Sequence, residues 1–330
     1  MISKAFFLFP GQGAQYPGMA IDLLEASAGS EAGKKIERLF SLASDIMGKD
    51  MADLLRNSSP ETLKRTDISQ PAITLANLAA ATYLEATPAG QGIKPLGCAG
   101  FSLGEYSALF AAGVINEEDC LLLVKERGKA MQAAIDRISA GGTEIPGMAA
   151  VIGLAPDKVE SLISEWKAGG SAAIKDICAA NINSPRQTVV SGSAKALAEA
   201  ADLFIAAGAR RFLRLPVAGP FHSPFMEPAA TEFLPFLNKV AFNDPQIPFF
   251  SNVSGKRVSS GEEAKKLALA QITCAVRWTD EEAAIAAAGG IDCLLETGPG
   301  TVLQGLWKDT GNALPCYSAG TAADIKKLYE

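Results

Sequence analysis

The first part of the chain alternates short apolar runs with longer segments whose apolar residues recur at helical spacing. Two apolar runs, bounded by glycine or proline, cover residues 5–9 and 97–100. The helical segments cover residues 18–25, 73–84 and 119–135, together with the stretch that follows Ser102 as far as residue 112. Short apolar runs indicate strands, and the longer periodic segments indicate helices. Strands that alternate with helices in this way predict a largely parallel sheet with helices on both faces.

Residues 147–216 follow a different order. Strands are predicted at 148–154, 177–182, 188–190 and 211–215, and helices at 156–166 and 194–207. The order strand, helix, strand, strand, helix, strand is that of the ferredoxin-like split unit. The pattern therefore predicts a ferredoxin-like small subdomain at 147–216, flanked by Gly141, Gly142 and Pro216.

The last third returns to alternating strands and helices. A helix follows Met226, a strand covers 248–252, a helix covers 262–271 and a strand covers 291–296 before a Gly-Pro-Gly turn. The small unit is thus inserted into a larger α/β domain made of residues 1–146 and 217–330. The predicted fold class is α/β, with a hydrolase-like large domain and a mostly parallel sheet. We expect a ligand in the cleft between the two units.

Composition narrows the choice of partner and compartment. The chain has 330 residues, of which 48% are hydrophobic, and a formal net charge of −6, which argues against nucleic acid as its partner. No apolar stretch reaches the roughly 20 residues that a membrane helix needs, and residues 5–9 are too short for a signal sequence. Six scattered cysteines and one histidine predict no metal site, and they fit reduced thiols and a cytoplasmic location.

The strongest chemical motif is a G-x-S-x-G sequence at residues 100–104, which places Ser102 between a predicted strand and a predicted helix. This context exposes a serine hydroxyl on a tight turn, where it can attack a carbonyl. The hydroxyl needs a base, and His222, between Pro220 and Pro224, is the one imidazole in the chain. A Ser-His dyad oriented by a carbonyl and a triad with an acid such as Glu227 both remain open.

Two further positions have both an ordinary and a functional interpretation. The turn after the first strand holds Gln12 between two glycines, and its backbone N–H could form an oxyanion hole with that of Leu103. The same turn could simply end the strand. Arg127 lies in a helical segment, and from the sequence pattern alone it is a solvent-exposed helix arginine.

These segments, taken in order, resemble the malonyl-CoA:acyl carrier protein transacylases over nearly the whole chain. The motifs that carry the resemblance are residues 9–15, 69–72, the Ser102 turn, 127–128, 181–185, 221–224, Gln271 and 296–300. The family implies transfer of malonyl from coenzyme A to the phosphopantetheine thiol of acyl carrier protein, through a malonyl ester on Ser102. It implies no cofactor, since the coenzyme A thioester is the substrate.

The resemblance also assigns roles to individual residues. It implies that His222 is the general base, that the backbone N–H groups of Gln12 and Leu103 form the oxyanion hole, and that a carbonyl near Gln271 orients His222. It implies that Arg127 holds the malonyl carboxylate through two hydrogen bonds.

Four other residues are candidates for substrate binding. Gln70, Asn183 and Gln271 fall within the matching motifs. Phe221, beside the base, would crowd a substituent on the α-carbon of the acyl group, which favours malonyl over methylmalonyl. The family usually has histidine at the position of Phe101, where it is thought to help hold the malonyl carboxylate; phenylalanine cannot do so.

Several alternatives remain open at this point. The same serine ester could pass to water in an acyl hydrolase or esterase, or the chain could load malonyl for a polyketide synthase or a malonate decarboxylase. A non-catalytic interaction module is disfavoured by the presence of Ser102, His222 and Arg127. Acyl carrier proteins are acidic, so Arg210 and Arg211 are candidates for a docking patch on a chain that we expect to be a monomer.

Overall fold

The computed structural model describes residues 4–86, 93–140, 145–170 and 174–330. The strands are β1 Ala5–Phe9, β2 Pro95–Gly100, β3 Gly147–Ile152, β4 Cys178–Ser184, β5 Gln187–Gly192, β6 Arg211–Arg214, β7 Phe250–Ser251, β8 Lys256–Arg257, β9 Cys293–Glu296 and β10 Cys316–Ser318. The helices are α1 Ile21–Ala26, α2 Glu31–Met47, α3 Met51–Asn57, α4 Pro60–Lys64, α5 Thr66–Ala86, α6 Gly104–Ala111, α7 Glu117–Ala140, α8 Pro156–Ala168, α9 Ala194–Ala206, α10 Glu227–Leu237, α11 Gly261–Ala270, α12 Trp278–Ala288, α13 Val302–Asp309 and α14 Ala322–Lys327.

The larger unit is built on a parallel four-stranded sheet in the order β10-β9-β1-β2. Every residue of β1 is buried, as expected of a central parallel strand that is covered on both faces. Beyond β2, a parallel bridge between Cys98 and Phe249 extends the sheet by one residue pair. This sheet confirms the predicted α/β class with mostly parallel strands.

The second sheet is antiparallel, in the order β4-β5-β3-β6. Helices α8 and α9 pack on one face around a cluster that includes Val151, Leu197 and Phe204. The other face carries Met148 and Val189, against which Phe221 of the larger unit packs. The antiparallel sheet is therefore placed between its own helices and the segment that contains the histidine.

Backbone pairing joins the two units directly. The Ile182 N–H donates to the Val276 carbonyl at 2.7 Å, and the Val276 N–H donates to the Ala180 carbonyl at 2.9 Å. These bonds form a parallel bridge between β4 and the segment that precedes α12. The Arg277 guanidinium adds a salt bridge to Glu160 of α8 at 3.3 Å.

Several element boundaries differ from the sequence-based prediction. Helix α1 begins at Ile21 rather than at residue 18, because Gly18 and Ala20 have positive φ angles that a right-handed helix does not allow. Helix α5 begins at Thr66, earlier than residue 73, and continues through Pro71. The strand predicted at 248–252 shortens to β7.

Some elements of the structure have no counterpart in the prediction from sequence. They are helices α2, α3, α4, α12, α13 and α14 and strands β8 and β10. Among the described residues, no helix has both the length and the apolar character needed to cross a membrane.

Candidate active site

Ser102 lies on the turn that connects β2 to α6, with a φ angle of 50°. The chain is so closely packed here that a Cβ on Gly100 would overlap the backbone of Gly104, and a Cβ on Gly104 would overlap the Phe9 carbonyl. Both positions therefore require glycine. The turn lifts the serine to the carboxyl end of the parallel strands, as the sequence motif predicts.

Ser102 and His222 form a hydrogen-bonded pair. The Ser102 Oγ lies 2.8 Å from His222 Nε2. On the other side of the ring, Nδ1 lies 2.8 Å from the Gln271 carbonyl and 3.2 Å from the Cys274 carbonyl. Carbonyls can only accept, so Nδ1 carries the proton and Nε2 is free to take one from the serine. Both acceptors at Nδ1 are backbone carbonyls, which is the dyad arrangement of the two that the sequence left open.

The environment of His222 keeps its ring neutral. Burial of the side chain, with a smaller contribution from the positive charge of Arg127, lowers the pKa of His222 from 6.5 to about 4. The hydrogen bonds to the two carbonyls act in the opposite direction. A neutral imidazole near pH 7 is the form that a general base needs.

The serine turn is held from behind by Asn252, at the end of β7. Asn252 Oδ1 accepts from the Ser102 N–H at 2.7 Å, and its Nδ2 donates to the Gly100 carbonyl at 2.7 Å and to Glu281 Oε1 at 2.7 Å. The backbone N–H of Asn252 donates to Glu105 Oε2 at 2.8 Å. One buried amide thus fixes the backbone on both sides of the nucleophile.

Two buried carboxyl groups flank Asn252. Burial raises the pKa of Glu105 to about 7, although bonds from Asn252 and Gln271 and the charge of Arg127 oppose this shift. Burial and the neighbouring Glu105 raise the pKa of Glu281 well above its usual value. Two neighbouring buried carboxyl groups cannot both ionise without cost, so burial and Glu105 together favour the protonated form of Glu281.

The loop after β1 lies against the serine turn. Gly11 is in contact with the backbone at Phe101, so closely that a Cβ at this position would clash with the Phe101 carbonyl. Within the described residues, no acceptor is paired with the backbone N–H of Gln12 or of Leu103. Gln12 is held in place through its side chain, where Oε1 accepts from Gln70 Nε2 at 3.2 Å. Two free N–H groups next to the nucleophile are suited to a developing oxyanion.

Arg127, on α7, is fully buried, in contrast to the exposed position that the helix pattern alone suggested. Its Nη2 donates to Gln271 Oε1 at 3.0 Å, and its guanidinium carbon lies 5.4 Å from the centre of the Tyr106 ring. Nε and Nη1 are buried and have no hydrogen-bond partner in the described structure. Burial lowers the pKa of Arg127. A buried guanidinium with two idle donors is an incomplete site for an anion.

Gln271 connects the parts of the site to one another. Its carbonyl accepts from His222, its Oε1 accepts from Arg127, and its Nε2 donates to the Ser102 carbonyl at 2.9 Å and to Asn252 Oδ1 at 3.1 Å. The resemblance named Gln271 both as a substrate-binding candidate and for a carbonyl near it that orients the base. The side-chain bonds to Ser102, Asn252 and Arg127 carry no sequence pattern that marks them.

The remaining candidates for substrate binding lie around this centre. Gln70 is buried on α5, and its Nε2 also contacts Met131 Sδ at 3.3 Å. Asn183 is buried on β4, and its Oδ1 has no partner among the described residues. Phe221 is half-buried and packs against the cores of both units. Its carbonyl accepts from Ser191 Oγ at 2.7 Å.

The Phe101 side chain packs against apolar neighbours and has no polar atom to offer to a substrate. Its ring meets the ring of Trp278 edge to face, with 5.4 Å between the centroids. The position before the nucleophile therefore extends a hydrophobic cluster that includes Trp278 and Leu294. Phe101 therefore adds no polar or charged group beside Ser102, whereas Arg127 brings a positive charge to the site.

Arg210 and Arg211 are exposed where the chain enters β6, the edge strand of the antiparallel sheet. They lie on the smaller unit and make no hydrogen bond to the residues around Ser102 in the described structure.

Asn252 and Glu105 are neighbours of the serine turn that the sequence did not predict. Their signals were a polar residue at a strand end and an acid directly after the serine motif.

Comparison with known proteins gives the family. The acyl transferase domain family matches residues 6–327. A malonyl CoA-acyl carrier protein transacylase of Escherichia coli (strain K12) is 37% identical over 303 residues, which cover 92% of this chain and 91% of that protein.

Solved structures agree with this match. The malonyl CoA-acyl carrier protein transacylase of Coxiella burnetii has a TM-score of 0.87 and 31% identity, with 99% of this chain and 97% of that chain covered. A malonyl-transacylase solved in complex with its type II PKS acyl-carrier protein has a TM-score of 0.85 and 35% identity, with 98% of each chain covered. The chain therefore belongs to the acyl transferase domain family, and within it to the malonyl CoA-acyl carrier protein transacylases.

Proposed function

We propose that this enzyme transfers malonyl from malonyl-CoA to the phosphopantetheine thiol of an acyl carrier protein through a malonyl ester on Ser102. The observation that carries the proposal is the buried Arg127, whose Nε and Nη1 lack partners and whose Nη2 is held by the same Gln271 that holds His222. This arrangement joins a site for a carboxylate to a serine nucleophile and its base.

In the first half-reaction, Ser102 Oγ attacks the thioester carbon while His222 Nε2 takes the hydroxyl proton. The N–H groups of Gln12 and Leu103 stabilise the oxyanion of the tetrahedral intermediate. The carbon–sulfur bond then breaks, and the proton on Nε2 passes to the coenzyme A thiolate. The product is malonyl-Ser102.

In the second half-reaction, the carrier thiol gives its proton to His222 Nε2 and attacks the ester carbon. The bond to Ser102 Oγ breaks, and the serine takes the proton back. The reaction needs no cofactor beyond the thioester itself, because the serine ester carries the acyl group between the two thiols.

Selectivity for malonyl follows from the burial of Arg127. A malonyl carboxylate can accept from the two idle nitrogens, whereas an acetyl group leaves them unpaired in a dry site. A site built for a polar group can reject the analogue that lacks it by about 10⁴-fold. Gln70 and Asn183 present unpartnered amide oxygens and are proposed to contact the acyl-pantetheine chain. Phe221 is proposed to exclude substituents on the malonyl α-carbon.

The decisive experiment is competition between malonyl-CoA and acetyl-CoA, read by intact-protein mass spectrometry. We expect malonyl on Ser102 in the wild type and no label in Ser102→Ala. Arg127→Ala should lose the preference for malonyl. Equal yields of acetyl and malonyl in the wild type would overturn the role of Arg127.

A hydrolase is the second candidate, since the same serine ester could be passed to water. The buried guanidinium favours the transferase, because a general esterase has little use for a carboxylate clamp. Release of free malonate at the same rate with and without carrier protein would instead support hydrolysis. Assays with carriers from fatty-acid, polyketide and malonate-decarboxylating systems would identify the physiological acceptor.

We further propose that the exposed Arg210 and Arg211 contribute to docking of an acidic carrier protein. An acidic carrier protein would be repelled by a chain of net charge −6, so it needs a local basic patch. The two arginines at the start of β6 provide positive charge complementary to that of the carrier. Reversal of both charges should raise the KM for carrier protein much more than the KM for malonyl-CoA. Equal effects on both substrates would contradict it.

The finer description of the fold is also proposed. The strand order β4-β5-β3-β6, with a helix after β3 and another after β5, supports a ferredoxin-like subdomain at about residues 147–216. Residues 1–146 and 217–330 would then form a hydrolase-like domain. We propose a monomer in the cytoplasm, and the free thiols of the six cysteines support that compartment.

A further inference from the structure

The two residues of the catalytic pair share an unusual backbone conformation. Among the described residues, the non-glycine positions with positive φ are Ala20, Ser102 and His222, at 63°, 50° and 54°. The left-handed region is disfavoured for any residue with a Cβ, because the Cβ approaches the following carbonyl oxygen. Such a conformation persists only where the surroundings hold it.

At His222 the conformation depends on the peptide plane that joins Phe221 to His222. Rotation of this plane changes ψ of Phe221 and φ of His222 together. If the plane turned over, φ of His222 could relax to a negative value and the imidazole would swing away from Ser102. The position of the Phe221 carbonyl therefore decides whether the base faces the nucleophile.

One side chain holds that carbonyl. Ser191 Oγ donates to the Phe221 oxygen at 2.7 Å, and Ser191 is fully buried. It belongs to β5, where it pairs with Met148 of β3 on one side and with Cys178 of β4 on the other. Because β5 is paired on both sides, Ser191 is held rigidly. Its hydroxyl can therefore hold the Phe221–His222 peptide plane in one orientation.

At Ser102, too, a buried side chain holds the peptide plane that precedes the catalytic residue. The peptide plane before Ser102 is held through its N–H, which donates to Asn252 Oδ1 at 2.7 Å. In both cases a buried polar side chain from a different element binds the plane that precedes a left-handed catalytic residue. The recurrence indicates that this plane is the part of each residue that needs support.

We propose that Ser191 is a positioning residue for the general base: its hydroxyl fixes the Phe221–His222 peptide plane and so keeps the imidazole directed at Ser102. The antiparallel sheet then does more than form one wall of the cleft, because it holds the base in its working orientation. The proposal rests on the proposed function only for the identity of the reaction that the base serves.

The test uses the fact that His222 is the only histidine in the chain, so the imidazole NMR signals need no assignment. In the free wild-type enzyme, the ring should titrate at about 4. In Ser191→Ala, the titration should move toward the ordinary value of 6.5 as the ring leaves its buried position. Acylation of Ser102 by malonyl-CoA should slow about tenfold or more, with little change in KM.

The matched control is Thr188→Ala. Thr188 lies on the same strand and is equally buried, but its hydroxyl has no partner in the described structure. Loss of this hydroxyl should leave the imidazole titration and the acylation rate unchanged. Ser191→Thr, which keeps a hydroxyl on the same Cβ, should retain the wild-type titration.

Two results would overturn the proposal: an unchanged imidazole titration and acylation rate in Ser191→Ala, or an equal change in Thr188→Ala. If Ser191→Ala does not fold, Ser191→Cys decides, since its weaker donor should produce an intermediate titration, and a wild-type titration would count against the proposal. Failure of the proposed function would look different. It would abolish malonylation of the wild type and leave the imidazole difference between variants intact.

Discussion

Gln271 Oε1 accepts a hydrogen bond from Nη2 of the buried Arg127 guanidinium at 3.0 Å. The carbonyl of the same glutamine holds the base at 2.8 Å. The group that would hold the substrate and the group that takes the proton are thus fixed by one residue. A substitution at Gln271 should therefore change both substrate binding by Arg127 and proton transfer by His222.

Replacing Gln271 with glutamate should damage substrate binding more than replacing it with leucine. A carboxylate beside Arg127 would occupy the guanidinium and compete with the malonyl carboxylate, whereas leucine only removes a partner. We expect the KM for malonyl-CoA to rise about tenfold or more in Gln271→Glu, corresponding to loss of about one charge-assisted hydrogen bond. Steady-state kinetics with saturating carrier protein would measure it.

The comparison with leucine also provides the control. Gln271→Leu keeps the backbone carbonyl that binds His222, so its kcat reports the loss of the side-chain bonds to Ser102 and Asn252. If Gln271→Leu raises KM more than Gln271→Glu does, competition inside the site is not the cause.

The proton affinity of the base should be visible in both titration and stability. With a pKa of about 4 in the folded state against 6.5 when exposed, His222 binds a proton more readily in the unfolded chain. Its contribution to the free energy of unfolding is therefore complete above pH 6.5 and is lost as the pH falls toward 4. NMR titration of the single imidazole would show a midpoint near 4, and a midpoint near 6.5 would contradict a buried ring.

Removal of the Asn252 side chain should impair the nucleophile as well as the fold. Asn252→Ala leaves the Ser102 N–H, the Gly100 carbonyl and Glu281 Oε1 without their bonds. Each buried polar group left unpaired costs about 1–3 kcal/mol, so the urea midpoint should fall. Acylation by malonyl-CoA, measured well below the melting temperature, should slow at least tenfold. A stability loss with a wild-type acylation rate would limit Asn252 to a structural role.

Glu282 should contribute more stability in acid than in base. Its carboxyl is buried, and burial raises its pKa from 4.5 to about 8, although the neighbouring Trp278 acts in the opposite direction. The folded state thus holds a proton that the unfolded chain releases, so the contribution of Glu282 to stability is full below pH 4.5 and declines up to pH 8. Glu282→Gln should gain on the order of 3 kcal/mol at pH 8 and little at pH 5.

Urea denaturation at both pH values would measure this difference. The exposed Glu37 on α2 gives the control, since Glu37→Gln changes the same charge at the surface. An equal gain in both variants would point to net charge rather than to burial as the cause.

The sequence predicted much of the fold because its signals are local. The apolar run of β1, the glycines around Ser102 and the proline at the start of α8 each fix a nearby backbone conformation, and all three elements form. Helix α2 also carries local signals, since the Ser30 side chain caps it and Ile36, Leu39, Phe40 and Ala43 recur at helical spacing. These signals were not used, so this helix was predictable but not predicted.

The candidate site was less predictable because it is assembled from distant segments. Arg127 has the sequence surroundings of a surface arginine, yet the fold buries it, with its guanidinium beside Tyr106 of α6 and Gln271 after α11. Asn252 binds residues about 150 positions earlier in the chain. No periodicity or spacing encodes such contacts, since they depend on how the sheets and helices meet.

Because backbone pairing between Ile182 and Val276 joins the two units, the antiparallel unit is difficult to replace with that of a related enzyme. A transplanted unit would have to present its strand to the segment before α12 in the same register, and its serine to the carbonyl of Phe221. A graft that folds perfectly on its own could therefore still disable catalysis. Chimaeras intended to change carrier preference should exchange the exposed edge strand β6 and leave β4 and β5 native.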